Sequence, residues 1–165
     1  MAGQVVNTPE ETIRWAKRAR SVFAVPKPAK FVACGCAECN DHQQTLSAAD
    51  VETFTLSDLG HSALNPLNFA TPAGLKYYFP ALVRLTLQYA EEEILQALLS
   101  VLRDGRGGIN PFWESNTAGQ RNFVADFLGH IIETHAGELD LAGVTDEVLW
   151  AYERWSQDSR SESVQ

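Results

Sequence analysis

A chain of 165 residues, 45% apolar and 21% charged, has the size and composition of one globular domain around a single core. Its formal net charge of −8 excludes general binding to nucleic acid, whose phosphates require a basic surface. No stretch approaches the roughly 18 apolar residues of a membrane span; Arg84, Gln88 and Glu91–Glu93 interrupt the most apolar one.

The opening Met-Ala-Gly-Gln-Val-Val has neither the basic nor the apolar region of a signal peptide, so a cytoplasmic location is expected. Charge is unevenly placed. Residues 1–30 carry six Lys/Arg against two Glu, and the acidic excess lies wholly beyond them. Such polarity can steer an acidic partner to the first helix, although it also suits a plain solvated helix face.

In chain order, Thr8-Pro9-Glu10-Glu11 predicts a helix start, with Thr as N-cap, Pro in the first turn and Glu returning at the third position. Ile13, Trp15, Ala16, Ala19 and Phe23 form its apolar stripe, and Pro26 and Pro28 end it. Lys30–Ala33 is short and extended and leads into Cys34-Gly35-Cys36-Ala37-Glu38-Cys39-Asn40-Asp41-His42. Beyond it, Gln43–Leu46 finishes a turn begun near Cys36, and Ser47–Asp50 has the look of a cap for another short helix. Thr55–Asn68 reads as a loop held down by Leu56, Leu59, Leu64 and Leu67.

Thr71-Pro72 opens the longest helical region, with Leu75, Tyr78, Phe79, Leu82, Leu85 and Tyr89 at helical spacing. Pro80 falls inside it and is expected to kink or split it. Glu91–Glu93 begin a second helix through Leu102, with Gly105 as its stop. Arg106–Asn116 reads as a Gly-rich loop that tucks in Phe112 and Trp113. Thr117–Gln120 repeats the capping box before Phe123, Val124, Phe127, Leu128, Ile131 and Ile132. Thr145 caps a last helix with Val148, Leu149, Tyr152 and Trp155 inward, and 156–165 is a polar, frayed tail. Strand periodicity and internal repeats are lacking. The expected fold is all-α: a single-domain bundle of five to seven helices with a Pro-kinked central helix.

Phe69-Ala70-Thr71-Pro72-Ala73-Gly74-Leu75-Lys76-Tyr77-Tyr78-Phe79-Pro80-Ala81-Leu82 resembles the TPxAxxYYLPA signature of a bacterial family known as a domain of unknown function. Phe112 followed by Gln120–Leu128 is similar to that family's F…Q…FL segment, so the resemblance spans about residues 22–136. Gly74 stands where a bulkier helix former is usual, and Phe79 where Leu is common. The resemblance implies a helical bacterial protein and supplies no catalytic residue.

The chemistry lies in the cysteine stretch. Cys34, Cys36, Cys39 and His42 provide soft sulfur and imidazole donors at the close spacing that zinc requires, with His61 as an alternative fourth ligand. On a helix starting near Cys36, the residues Cys36, Cys39 and His42 share roughly one face, and Gly35 permits the turn that brings Cys34 over. Iron–sulfur and Cu(I) suit the same donors less well. The competing reading is three small thiols packed at a helix–loop junction, and a third is a redox role. An odd cysteine count fits a reducing compartment, and a Cys34–Cys36 disulfide would close a small, strained ring.

Other constellations carry less. Asp126, His130 and Glu133 share a helix face but face no evident partner ligands, and His135 suits a helix end. Arg103–Gly108 lacks the Gly-x4-Gly-Lys-Ser/Thr of a phosphate loop, and no Gly-x-Ser-x-Gly elbow is present. Tyr77 and Tyr78 beside Pro80 are core residues or the lining of a pocket. Two functions remain open. One is a non-catalytic protein that binds another protein, with zinc serving structure; the other is a metal-handling or thiol redox protein.

Overall fold

The computed structural model describes residues 7–61 and 64–157. Among these the chain is all-α: nine α-helices, two 3₁₀ turns and a single isolated bridge, Val32 to Ala70, in place of a sheet. Six of the helices are long: α1 (Pro9–Val22), α2 (Ala37–Ala48), α4 (Pro72–Tyr89), α5 (Glu92–Leu102), α7 (Ala118–Thr134) and α9 (Thr145–Trp155). Between them lie three short ones that periodicity does not reveal: α3 (Leu56–Leu59), α6 (Pro111–Ser115) and α8 (Ala136–Leu141).

Capping chemistry sets many of the boundaries. Thr8 with Glu11, Thr55 with Asp58, and Thr117 with Gln120 each close a capping box, satisfying two backbone donors reciprocally. The α4 helix runs unbroken through Pro80, which removes one donor without splitting it. It ends at Ala90, which adopts φ 46°, a left-handed conformation unusual for a residue with a Cβ. The α5 helix stops at Leu102, short of Gly105, with Arg103 already extended.

The α4 helix is the centre of the bundle, packed on α1 and α5, and α9 lies across α7. A chain of ring contacts ties the layers together: Phe23 to Phe79 at 4.9 Å, Phe79 to Phe112 at 5.4 Å, and Phe112 to Trp155 at 5.8 Å between centroids. One continuous core runs from Trp15 to Trp155. Two stripes differ from the sequence expectation. On α1 the buried face is Thr12, Trp15 and Ala19, which leaves Ile13 56% exposed. On α9 the inward residues are Val148, Ala151 and Trp155, so Leu149 and Tyr152 face outward beside Trp150. In both, neighbouring apolar residues point about 100° apart, and only one set meets the core. Ser156 is buried and its hydroxyl donates to the Tyr152 carbonyl; residues 158–165 of the expected frayed tail lie outside the described residues.

Candidate metal centre

The cysteine stretch sits where an extended segment turns into α2. That segment is fastened from three directions. The side-chain oxygen of Gln43, the seventh residue of α2, accepts the backbone N–H of Phe31 at 2.8 Å and of Val32 at 3.0 Å. Thr71 N–H donates to the Phe31 carbonyl at 2.7 Å, and the Val32–Ala70 bridge adds a tie to the same region before α4. Phe31 and Val32 are both buried, so these bonds hold a fixed strand from which Cys34 projects.

The helix itself is gripped at its far end. The Tyr78 hydroxyl reaches the carbonyls of Leu46 at 2.5 Å and Ala49 at 2.7 Å, and Lys27 Nζ donates to the carbonyls of Ser47 and Ala49. Together they satisfy two of the four carbonyls that the helix end leaves open, Leu46 and Ser47, and that of the C-cap Ala49. Lys27 also pairs with Asp50 at 3.0 Å, and this ammonium holds the Asp50 carboxyl below its usual range. The sequence expectation of a second helix capped at Ser47–Asp50 therefore gives way to one twelve-residue helix whose end lies at Ala48.

At the near end, Cys36 is the N-cap residue of α2 and Cys39 stands at its third position. Residues 33–38 are all exposed, whereas Cys39 is buried. The Sγ atoms of Cys34, Cys36 and Cys39 all lie within 4.8 Å of one another. Cys36 N–H donates to the Cys34 sulfur at 3.5 Å, a contact that stabilises negative charge there. That bond, followed by the thiols of Cys39 and Cys36, lowers Cys34 below the ordinary thiol range. The contact with Cys34, with burial next, pushes Cys39 up to about 12. Cys34 and Cys39 thus differ in environment, one exposed and receiving an N–H, the other buried on the first turn of α2.

The histidines fall elsewhere. Among the described residues the converging group comprises the three sulfurs, with neither His42 nor His61 in it. The His42 ring stacks on Phe69 at 4.4 Å and 16°, with Nε2 3.9 Å from a Glu38 oxygen. His61 is exposed. Sequence reasoning missed Gln43 and Phe69, because one reaches across to a strand eleven residues back and the other arrives from 27 residues ahead.

Three sulfurs at this separation suit a thiophilic ion. Zn–S bonds of about 2.3 Å place tetrahedral sulfurs about 3.8 Å apart, so closure requires each sulfur to shift by less than about 1 Å. The group can therefore hold a metal ion through three thiolates.

The remaining constellations resolve into structure. Asp126 pairs with Arg18, and the His130 ring lies tilted against Trp15 at 4.9 Å and bonds the Asn7 side chain. With Glu133 they border a cleft of about 520 Å³ between α1, α7 and α9. Asp104 pairs with Arg154, and Tyr77 and Tyr78 are both buried. Comparison with family models, with curated proteins and with solved structures returns no match. No helix among the described residues is long and apolar enough to cross a membrane.

Proposed function

We propose that this protein is a metal-handling protein in which Cys34, Cys36 and Cys39 hold a zinc ion as three thiolates. The observation that carries the reading is the convergence of the three sulfurs within 4.8 Å at an exposed helix start. Two features favour handling over a purely structural ion. The supporting strand and helix are already fastened by protein hydrogen bonds, so the fold does not depend on metal to hold its loop. The converging group among the described residues supplies three ligands, one fewer than the four protein ligands that close a structural zinc site. Cu(I), which accepts three-coordinate thiolate sites, competes for the same donors. A reducing compartment such as the cytoplasm keeps the thiols available.

The test is titration of the reduced protein with Co(II), followed by displacement with zinc and elemental analysis. One equivalent is expected per chain, lost in Cys34→Ser, Cys36→Ser and Cys39→Ser and retained in His42→Ala and His61→Ala. Three freely titrating thiols in a protein that takes up no metal overturn the reading.

A second reading has its own observation. Trp150 on α9 is 71% exposed and borders a cleft of about 390 Å³ with Leu99, Leu102, Arg103, Asp104, Glu147 and Arg154. A large exposed aromatic beside an apolar cleft with a charged rim is the composition of a protein-docking surface.

A further inference from the structure

We propose that Cys34 and Cys39 form a reversible disulfide by exchange with small-molecule disulfides, and that this reaction empties the metal site. The three sulfurs differ in exposure and in contacts. Cys34 lies on an exposed loop with its sulfur receiving the Cys36 N–H, which is the arrangement of an attacking thiolate. Cys39 is buried on the first turn of α2, within 4.8 Å of that sulfur, and out of reach of a bulky external disulfide. Cys34 and Cys36 are too close in sequence to pair with each other without strain, so Cys34 turns to Cys39.

The loop also allows the approach. A Cβ at Gly35 would meet nothing within 4 Å, so the segment between the two sulfurs has free space around it. Residues 33–38 are exposed throughout, and a shift there disturbs no core contact.

The chemistry proceeds in two exchanges. The Cys34 thiolate attacks one sulfur of oxidised glutathione, breaking its S–S bond, forming a mixed disulfide and releasing one glutathione thiolate. The glutathione thiolate just released takes the Cys39 proton, and the Cys39 sulfur attacks Cys34, breaking the mixed disulfide. This forms the Cys34–Cys39 bond and releases the second glutathione, each thiolate leaving as thiol once protonated. Two cysteines are oxidised by two electrons and one glutathione disulfide is reduced to two thiols; zinc keeps its charge. Two of three donors are then consumed, and a single Cys36 thiolate does not retain the ion.

The metal-release step rests on the zinc reading above; the disulfide does not. The experiment therefore has two arms on the full chain. In the first, metal-free protein is treated with oxidised glutathione and its free thiols are counted by alkylation and intact mass. The thiol count is expected to fall from three to one, with loss of two hydrogens and no retained glutathione. Cys36→Ser is expected to oxidise similarly, whereas Cys34→Ser does not form the bond and Cys39→Ser accumulates a glutathione adduct. Unchanged thiols in the wild type, or Cys34→Ser oxidising as fast as the wild type, overturns the proposal. In the second arm, zinc-loaded protein is oxidised in the presence of a chromophoric chelator. Zinc release in step with disulfide formation, reversed by a dithiol reductant, is expected; retention of zinc by the oxidised chain overturns the coupling alone. A chain that forms the disulfide yet never binds zinc refutes the metal reading and leaves the disulfide standing.

Discussion

Replacing Gln43 by Leu isolates the bond that aims the cysteine loop. The side-chain oxygen accepts two N–H groups, from Phe31 and Val32, both residues buried. A buried donor left without a partner costs about 1–3 kcal/mol. Partial hydration through the exposed Ala33 side of the strand sets the total for two donors at roughly 2–4 kcal/mol. For a protein of this size that corresponds to a fall of about 6–12 °C in melting temperature. The strand is also what fixes Cys34, so Co(II) affinity falls in the same variant even well below its melting temperature. Gln43→Glu keeps an acceptor in place and is expected to retain most of both properties near neutral pH. The assays are thermal denaturation by circular dichroism and Co(II) titration at 15 °C. A Gln43→Leu protein that melts within about 1 °C of wild type and binds Co(II) normally refutes the claim that this side chain organises the site.

Three further outcomes follow from the fold. Burial lowers His130 and His135 below the ordinary histidine range, so the unfolded chain takes up protons before the folded one. Stability is full above about pH 6.5 and is lost as the pH falls toward the depressed folded values; urea midpoints at pH 7.5 and 5.5 check this, and a flat profile contradicts it. Gly74→Ala places a Cβ 3.1 Å from Phe31 Cδ1. Because Phe31 is pinned at both its N–H and its carbonyl, crowding is expected to exceed the gain in helix propensity, with a net loss of about 1 kcal/mol in urea denaturation. Trp150→Ala is expected to change stability by no more than about 0.5 kcal/mol while removing most acrylamide-quenchable tryptophan emission.

The sequence made some of this architecture legible for identifiable reasons. Thr8 with Glu11 and Thr117 with Gln120 are local signals, and the structure closes both as capping boxes. The long apolar runs of α4, α5 and α7 likewise show their helical period directly. The α2 helix gives no such signal: only Cys39 and Leu46 of its twelve residues are buried, so little periodicity marks its length. Leu149 carries the composition of a core but is exposed, and Tyr152 lays its ring against Gly129 at the edge of α7 while staying partly open to solvent. The three cysteines were visible by spacing. Which partners hold them was not, since Gln43 and Phe69 act through contacts that only the folded chain creates.

The clamp on α2 by Tyr78 and Lys27 is at the opposite end of that helix from the sulfurs. Twelve residues span about 18 Å, and α2 is held toward both ends, by Tyr78 and Lys27 at one and by the Gln43–Phe31–Thr71 contacts and buried Cys39 at the other. Substitutions among residues 33–38 then act on an exposed stretch instead of on the packed interior. A change at exposed Cys34 or Cys36 therefore alters the donor set while the packed scaffold that carries it keeps its contacts.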